Sequence, residues 1–169
     1  MQPMELITQV WCPGVPKTKG SLTFRGGHAE ENVKGSARWR MLVVEAVRED
    51  LRQRWGSDIG ARADLRPINV QAVFFTATDP TMPSAGDLDK LCRNVLDALS
   101  VNREQPAKGA GAYADDRQVI ALQAHQVIAD EVGPGLMLMV YGVSFEFMDS
   151  IRAWYISRRA ELLNQRETR

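Results

Sequence analysis

The sequence predicts an α+β (mixed α/β) fold: a single domain in which helices pack against one mixed β-sheet. Apolar residues alternate along several short segments, as in half-buried strands, and recur at helical spacing along three longer ones. The order of these segments is β, α, β, α, β, β, α. At 169 residues, with 44% hydrophobic and 25% charged residues, the chain has ordinary globular composition and is long enough for one core.

The first half of the chain is predicted to form two strands and a helix. Residues 6–12 form the first strand, and a loop rich in Lys, Gly and Arg follows over 15–27. The clearest helical pattern covers Ser36–Trp55, where Ser36 is the expected cap of a broad apolar face. Residues 68–78 alternate as the second strand.

The second half begins with a helix that Asp87 is expected to cap, with apolar residues at helical spacing as far as Leu99. Glycines mark the long segment that follows as a loop. The remaining predicted elements are loop 101–113, strand 116–128, strand 136–147 and a closing helix over 150–169, capped by Asp149 or Ser150.

Several classes of protein are excluded by what the sequence lacks. Neither a G-x-G-x-x-G nor a Walker loop is present, so no nucleotide cofactor is expected. Cys12 and Cys92 show no metal-binding spacing and are interpreted as free thiols in a reducing cytoplasm. The longest apolar stretch, 136–147, is too short and interrupted to cross a bilayer, so no membrane association or leader is expected.

The net charge is zero, but the charges are unevenly distributed. Residues 1–54 carry nine Lys/Arg against six Asp/Glu, and residues 150–169 carry five against two. Residues 79–149 carry five against eleven. A nuclease with a carboxylate site inside a basic rim would show this pattern, although ordinary solvated faces also produce such fluctuations.

Carboxylates at two places form the candidate site. Asp87 and Asp89 lie at a predicted helix start, and Asp115 and Asp116 precede an apolar strand. Neighbouring strand residues point to opposite faces, so only one of the second pair can face the helix start. Convergence of Asp87, Asp89 and one of that pair would create an all-oxygen site for Mg²⁺ or Mn²⁺, suited to phosphate esters. Taken singly, each aspartate is more often a cap or a turn residue.

The segment G-D-L-D-K-L-x-R-N-V-L-D-A-L, with Y-A-D-D-R-Q-V downstream, resembles the RusA family of Holliday junction resolvases (crossover junction endodeoxyribonucleases). That family carries D-L-D-N-L-x-K-x-x-x-D-A-L and then D-D-x-Q-V/I. The segment P-G-V-P-K, residues 13–17, stands where the family has a strand leading into P-x-P-K. The resemblance covers roughly residues 6–147.

The resemblance implies a RusA-like domain over residues 1–169, with 150–169 as a C-terminal helical extension. It implies a cytoplasmic, bacterial or phage-encoded homodimer that cuts four-way junction DNA by paired symmetrical cleavage, in recombination and repair, with Mg²⁺ or, as the alternative, Mn²⁺. Carried over, Asp87, Asp89 and Asp116 are the catalytic, metal-binding carboxylates. Arg93 stands at the place of the catalytic lysine, and Lys90 replaces the family's asparagine. Arginine and lysine differ in geometry and hydration, so which of these two cations acts stays open.

Five cations are candidate DNA contacts, because phosphate binding needs donors rather than a set geometry. They are Lys17, Lys19 and Arg25 of the basic loop, and Arg38 and Arg40 of the first helix. Two alternatives to the nuclease remain: a junction-DNA-binding protein of the same fold with weak or no cleavage, and a metal-dependent phosphohydrolase of small phosphate esters. The dispersed positive charge argues against the second alternative.

Overall fold

The computed structural model describes residues 4–19, 22–25, 28–31, 35–56, 65–82 and 86–167. It is a single α+β domain with a four-stranded mixed sheet, a two-stranded hairpin and three helices. In chain order the elements are β1 (Met4–Pro13), β2 (Leu22–Arg25), β3 (His28–Glu31), α1 (Ser36–Trp55), β4 (Ile68–Thr76), α2 (Leu88–Leu99), β5 (Val119–Ile128), β6 (Gly135–Val143) and α3 (Phe145–Glu167).

The strand order in the sheet is β1, β6, β4, β5. Strand β6 pairs antiparallel with both β1 and β4, whereas β4 and β5 run parallel. The parallel pair is joined through α2, which follows β4 and precedes β5, so α2 and the loop after it lie beside this edge of the sheet. The predicted mixed sheet is therefore confirmed.

The core lies between the sheet and the helices α1 and α2. Every second residue of β4 is buried, from Ile68 to Thr76, as the alternating pattern predicts. The stripe of α2 is also buried, from Leu91 to Leu99. Each fully buried aliphatic side chain contributes about 1.5–3 kcal/mol through the hydrophobic effect. The buried residues of α1 are Ser36, Trp39, Val43, Val44, Val47 and Leu51.

Polar contacts join the end of α1 to β1. Asp50 Oδ2 accepts hydrogen bonds from Thr8 Oγ1 at 2.7 Å and from the backbone N–H of Gln9 at 3.1 Å. Trp55 donates from Nε1 to the carbonyl of Ile7 at 3.0 Å. These bonds are made by residues more than 40 positions apart, so they hold the helix on the first strand.

The main differences from the sequence prediction lie at four places in the chain. Strand β2 lies within the basic loop predicted over 15–27, and it pairs with β3 to form a hairpin that the sequence did not predict. Gly35, at φ +85°, takes the cap position of α1, so Ser36 is the first helical residue rather than the cap. Residues 116–118 form a 3₁₀ turn, and β5 begins only at Val119. The last strand ends at Val143, and 145–147 are helical.

The early start of α3 has a local cause at Ser144. Its hydroxyl oxygen accepts a hydrogen bond from the backbone N–H of Phe147 at 3.2 Å, which satisfies a donor of the first turn. Phe145, Glu146 and Phe147 alternate as strand residues would, but three residues are too few for the period to distinguish strand from helix. The closing helix therefore starts at Phe145 instead of the predicted 150.

Candidate functional site

The first turn of α2 presents the Asp87 and Asp89 carboxylates to solvent. The chain enters this turn through Gly86 at φ +84°, where a Cβ would stand 2.7 Å from the side chain of Thr18. Glycine is therefore required here both by the backbone conformation and by the close neighbour. Asp87 occupies the cap position in an extended conformation, but its side chain makes no cap hydrogen bond. Both carboxylates are 62% exposed.

Two cations engage these carboxylates. Lys90 Nζ lies 2.5 Å from Asp87 Oδ2, and Arg93 Nη2 lies 3.4 Å from Asp89 Oδ2. The second pair confirms the predicted i, i+4 contact. Asp87, and more weakly Asp89, raise the pKa of Lys90. The two cations proposed for catalysis thus lie within one helical turn of the two proposed ligands, and the four charges form an exposed cluster.

Asp115 has a structural role in the turn before β5. Its carboxylate accepts three 2.9 Å hydrogen bonds from Arg117, one from the backbone and two from the guanidinium. In return, Gln118 Oε1 accepts from the backbone N–H of Asp115, which completes a capping box. The hydrogen bonds from Arg117 lower the pKa of Asp115 well below its ordinary value.

Asp116 occupies a different environment. Its carboxylate accepts hydrogen bonds from the hydroxyl groups of Tyr113 and Ser100. The residue as a whole is exposed, but partial burial of its carboxyl group raises the pKa of Asp116. The negative charge of Asp97 raises this pKa further. The hydrogen bonds from Tyr113 and Ser100 only partly offset this rise. Asp116 is therefore the aspartate of its pair whose carboxyl group interacts with Tyr113, Ser100 and Asp97.

Tyr113 supports this environment from inside the core. It is fully buried, and its hydroxyl group also lies 3.3 Å from the carbonyl oxygen of Leu96. Burial, with the charge of Asp116, raises the pKa of Tyr113 far above its ordinary value. The phenol therefore stays protonated and acts as a fixed hydrogen-bond donor.

Asp97 links this environment to the basic loop. Its carboxylate lies 2.5 Å from Lys19 Nζ and 3.6 Å from Arg40 Nη1. The backbone N–H of Lys19 also donates to the carbonyl of Lys90 at 3.0 Å, and Asn94 donates to the carbonyl of Lys17 at 2.8 Å. The segment 17–19 therefore lies along α2.

The five predicted DNA contacts are distributed as follows. Lys19 and Arg40 meet at Asp97, and Lys17 lies half-buried beside them on the same segment. Arg38 is exposed on the first turn of α1. Arg25 ends β2, and its side chain lies outside the described part of the chain.

The candidate carboxylates lie at opposite ends of α2. Ser100, which binds Asp116, follows Asp89 by eleven residues, or about 16 Å along the helix axis at 1.5 Å per residue. The structure therefore brings Asp87 together with Asp89, and Asp116 together with Asp97. The sequence pattern does not single out Asp97, Ser100 or Tyr113 as site residues. The spacing of Asp97 did indicate its position: Asp89, Arg93 and Asp97 are four residues apart and therefore lie on one face of the helix.

The donor chemistry of these aspartates fits a hard divalent cation, since carboxylate oxygens are the ligands that Mg²⁺ and Mn²⁺ prefer. Their arrangement is less complete. Among the described residues, which include every aspartate discussed above, no three Asp, Glu, His or Cys side chains are grouped so that they could hold a metal ion. A cation at Asp87 and Asp89 would therefore compete with Lys90 and Arg93 for these oxygens.

Within the described part of the chain, no helix is both long and apolar enough to span a bilayer. No protein-family model matches the sequence, and no curated protein matches it. Any functional assignment consequently rests on the residues and their geometry, together with the motif resemblance.

Proposed function

We propose that the protein is a Mg²⁺-dependent, structure-specific endodeoxyribonuclease that acts as a homodimer and resolves four-way junctions by paired symmetrical phosphodiester cleavage. One observation carries the proposal: helix α2 joins the exposed carboxylates Asp87 and Asp89 to the cations of the basic loop along a single surface. A phosphate backbone needs such cations, and phosphodiester hydrolysis needs oxygen ligands beside them.

In this proposal Asp87, Asp89 and Asp116 provide the oxygen ligands. A bound Mg²⁺ or Mn²⁺ would supply Lewis-acid stabilisation and lower the pKa of a bound water. Lys90 and Arg93 would leave their carboxylates when the cation binds, and would then stabilise charge on the phosphate oxygens. Asp116 starts about a helix length away, so its participation requires a shift of the 3₁₀ turn or of α2.

A second candidate is a junction-DNA-binding protein of the same fold with weak or no cleavage. It is favoured by the separation of Asp116 from the first turn of α2 and by the ion pairs that engage Asp87 and Asp89. Metal binding separates the two candidates without reference to activity. A nuclease should bind Mn²⁺ stoichiometrically, and Asp89→Asn should weaken that binding.

The decisive experiment uses labelled four-way junction, linear duplex and flap DNA, each with and without Mg²⁺. A resolvase cuts the junction at paired symmetrical positions only with the metal. Asp89→Asn and Asp116→Asn should each reduce the rate by at least about 100-fold, since even residues that only orient metal ligands are worth 10–100-fold. Junction binding should be retained or tightened, because a negative charge is removed.

Asp115→Asn provides the matched control, because the same chemical change is made one residue away in a carboxylate that caps a turn. Its rate should stay within a few-fold of the parent. Comparison of Lys90→Gln with Arg93→Gln identifies which cation acts. Wild-type cleavage by Asp89→Asn would refute the site, and absence of cleavage with tight junction binding would favour the second candidate. Sedimentation of the free protein tests the homodimer.

A further inference from the structure

An open cleft of about 420 Å³ lies where the end of α2, the first half of α1 and the loop after α2 meet. Its volume falls within the roughly 300–1,000 Å³ range of small-molecule sites. Asp116 lies beside it, because its hydroxyl partner Ser100 and its charged neighbour Asp97 both line the cleft. The lining residues that carry charge are Arg40, Asp97, Arg103, Glu104 and Lys108.

The loop that forms one wall is held in place by its backbone. Ala110 and Ala112 donate to the carbonyls of Ala98 and Leu99 at 2.7 and 2.9 Å, and Val101 donates to the carbonyl of Tyr113 at 3.0 Å. These bonds lay the end of the loop against the end of α2. The cleft is therefore formed before any ligand arrives, which reduces the entropy that binding must spend.

A second anchor comes from α1. Arg48 donates from its guanidinium to the carbonyls of Pro106 and Gly109, at 2.5 and 2.7 Å. Gly109 is also pressed against the backbone, since a Cβ there would stand 2.2 Å from the carbonyl oxygen of Ser100. The loop is thus packed so closely that only glycine fits, and the nearby Lys108 is carried on a fixed frame.

The cations of the cleft are not fully neutralised by its acids. Asp97 is engaged by Lys19 and Arg40, so its charge is already offset. Arg103 and Lys108 are exposed and form no ion pair within the described residues. Among the described groups whose pKa shifts, only Asp115 is affected by the charge of Arg103. Two available cations beside an ordered wall suit an anionic group with several oxygens.

We propose that this cleft binds one phosphodiester unit of a DNA strand, with Arg103 and Lys108 as its phosphate contacts. This inference rests on the proposed function and deepens it, because it places the strand next to Asp116. Arg40 and Lys19 extend the same basic surface along α2 towards Asp87 and Asp89. A strand that follows this surface would pass both carboxylate groups.

The test measures binding of labelled junction and single-stranded DNA by fluorescence anisotropy, with Ca²⁺ in place of Mg²⁺, as a function of salt. The double variant Arg103→Gln/Lys108→Gln should lose roughly tenfold in affinity at about 0.15 M salt. The slope of log K against log salt should fall by about 2 on duplex arms, because two phosphate contacts are removed. The charge-retaining variant Arg103→Lys/Lys108→Arg should recover most of the affinity.

Arg152→Gln/Arg159→Gln on α3 is the matched control, because it removes the same charge from a helix that does not line the cleft. An equal loss in this control would show that net charge alone matters and would overturn the cleft assignment. Unchanged affinity in the Arg103/Lys108 variant would overturn it too. Thermal unfolding of each variant shows that the fold is retained.

A titration with deoxynucleoside monophosphate or inorganic phosphate distinguishes a strand from a free anion. Saturation of the cleft by the free anion at concentrations that displace DNA completely would mean that the site serves a small phosphate, which refutes a strand ligand. Failure of the proposed function has a different signature: no DNA is cut with Mg²⁺, while the affinity loss in the Arg103/Lys108 variant persists. Cleavage with unchanged affinity in that variant refutes only the cleft.

Discussion

Asp50→Asn is expected to destabilise the protein in a pH-dependent way. Three donors converge on one oxygen of this carboxylate: Thr8 Oγ1 at 2.7 Å, Arg54 Nε at 2.8 Å and the backbone N–H of Gln9 at 3.1 Å. Burial alone would raise the pKa of Asp50, but the hydrogen bonds from Arg54, Thr8 and Gln9 outweigh it and lower the pKa. The ionised carboxylate is therefore the form that the fold favours.

The size of the effect follows from the change from a charged to a neutral acceptor. Hydrogen bonds to charged groups contribute about 1.5–3 kcal/mol and neutral ones about 0.5–1.5 kcal/mol. Asparagine can still accept from Thr8, the three bonds share one oxygen, and the site is partly exposed. We therefore expect a loss of only about 1–2 kcal/mol in the free energy of unfolding at pH 7.

The sign of the pH dependence follows from the lowered pKa. Since the folded protein has a lower Asp50 pKa than the unfolded chain, where it is about 3.9, the stabilisation is complete above that value. It is lost as the pH falls through the folded-state pKa. The difference between wild type and Asp50→Asn should therefore be full at pH 7 and should shrink below about pH 4.

Urea unfolding of both proteins at pH 7, 5 and 3.5 measures this difference. Glu131→Gln is the control: it neutralises an exposed carboxylate in the turn between β5 and β6 and should change stability by less than about 0.5 kcal/mol. A gap between wild type and Asp50→Asn that stays the same from pH 7 to 3.5 would refute the reasoning. So would the absence of any gap at pH 7.

Three further predictions concern the cleft and the core. Asp97→Asn should lower the pKa of Asp116, because it removes a negative charge, and Tyr113→Phe should raise that pKa, because it removes a hydrogen-bond donor. A ¹³C NMR titration of the metal-free protein measures both shifts, and two shifts of the same sign would contradict this prediction. Gly109→Ala should lower the free energy of unfolding, measured in urea, by about 1–3 kcal/mol, because the new Cβ would stand 2.2 Å from a backbone carbonyl oxygen. A decrease below about 0.5 kcal/mol would show that the loop relaxes around the alanine. Burial raises the pKa of Cys12 to about 12. A thiol reagent at pH 8 should therefore modify Cys12 orders of magnitude more slowly in the native protein than in urea, and equal rates would argue against the burial of this thiol.

The elements that the sequence predicted well are those in which one periodic signal runs unbroken. Helix α1 matches its predicted range, and β4 shows the expected alternation of buried and half-buried residues. The buried stripe of α2 is also as predicted. In each case the apolar pattern predicts which side chains are buried, and their burial is the main contribution to the stability of the element.

The sequence could not predict features that depend on contacts between distant segments. The two strands of the hairpin, β2 and β3, have only four residues each, which is too short for an alternating pattern to stand out. The start of α3 depends on one serine cap. The role of Asp97 depends on Lys19 and Arg40, which come from elements 78 and 57 residues earlier in the chain.

The sequence by itself determined the fold class, the core and the residue types from which a carboxylate site could be built, because side-chain burial and charge are local properties of each segment. Only the tertiary structure decided which carboxylates meet: Asp115 caps its own turn, and Asp116 lies with Asp97 at the far end of α2 from Asp87 and Asp89. The physical reason is that the strength of an interaction between charges depends on their distance in space and on the solvent between them, and neither quantity is encoded in their spacing along the chain.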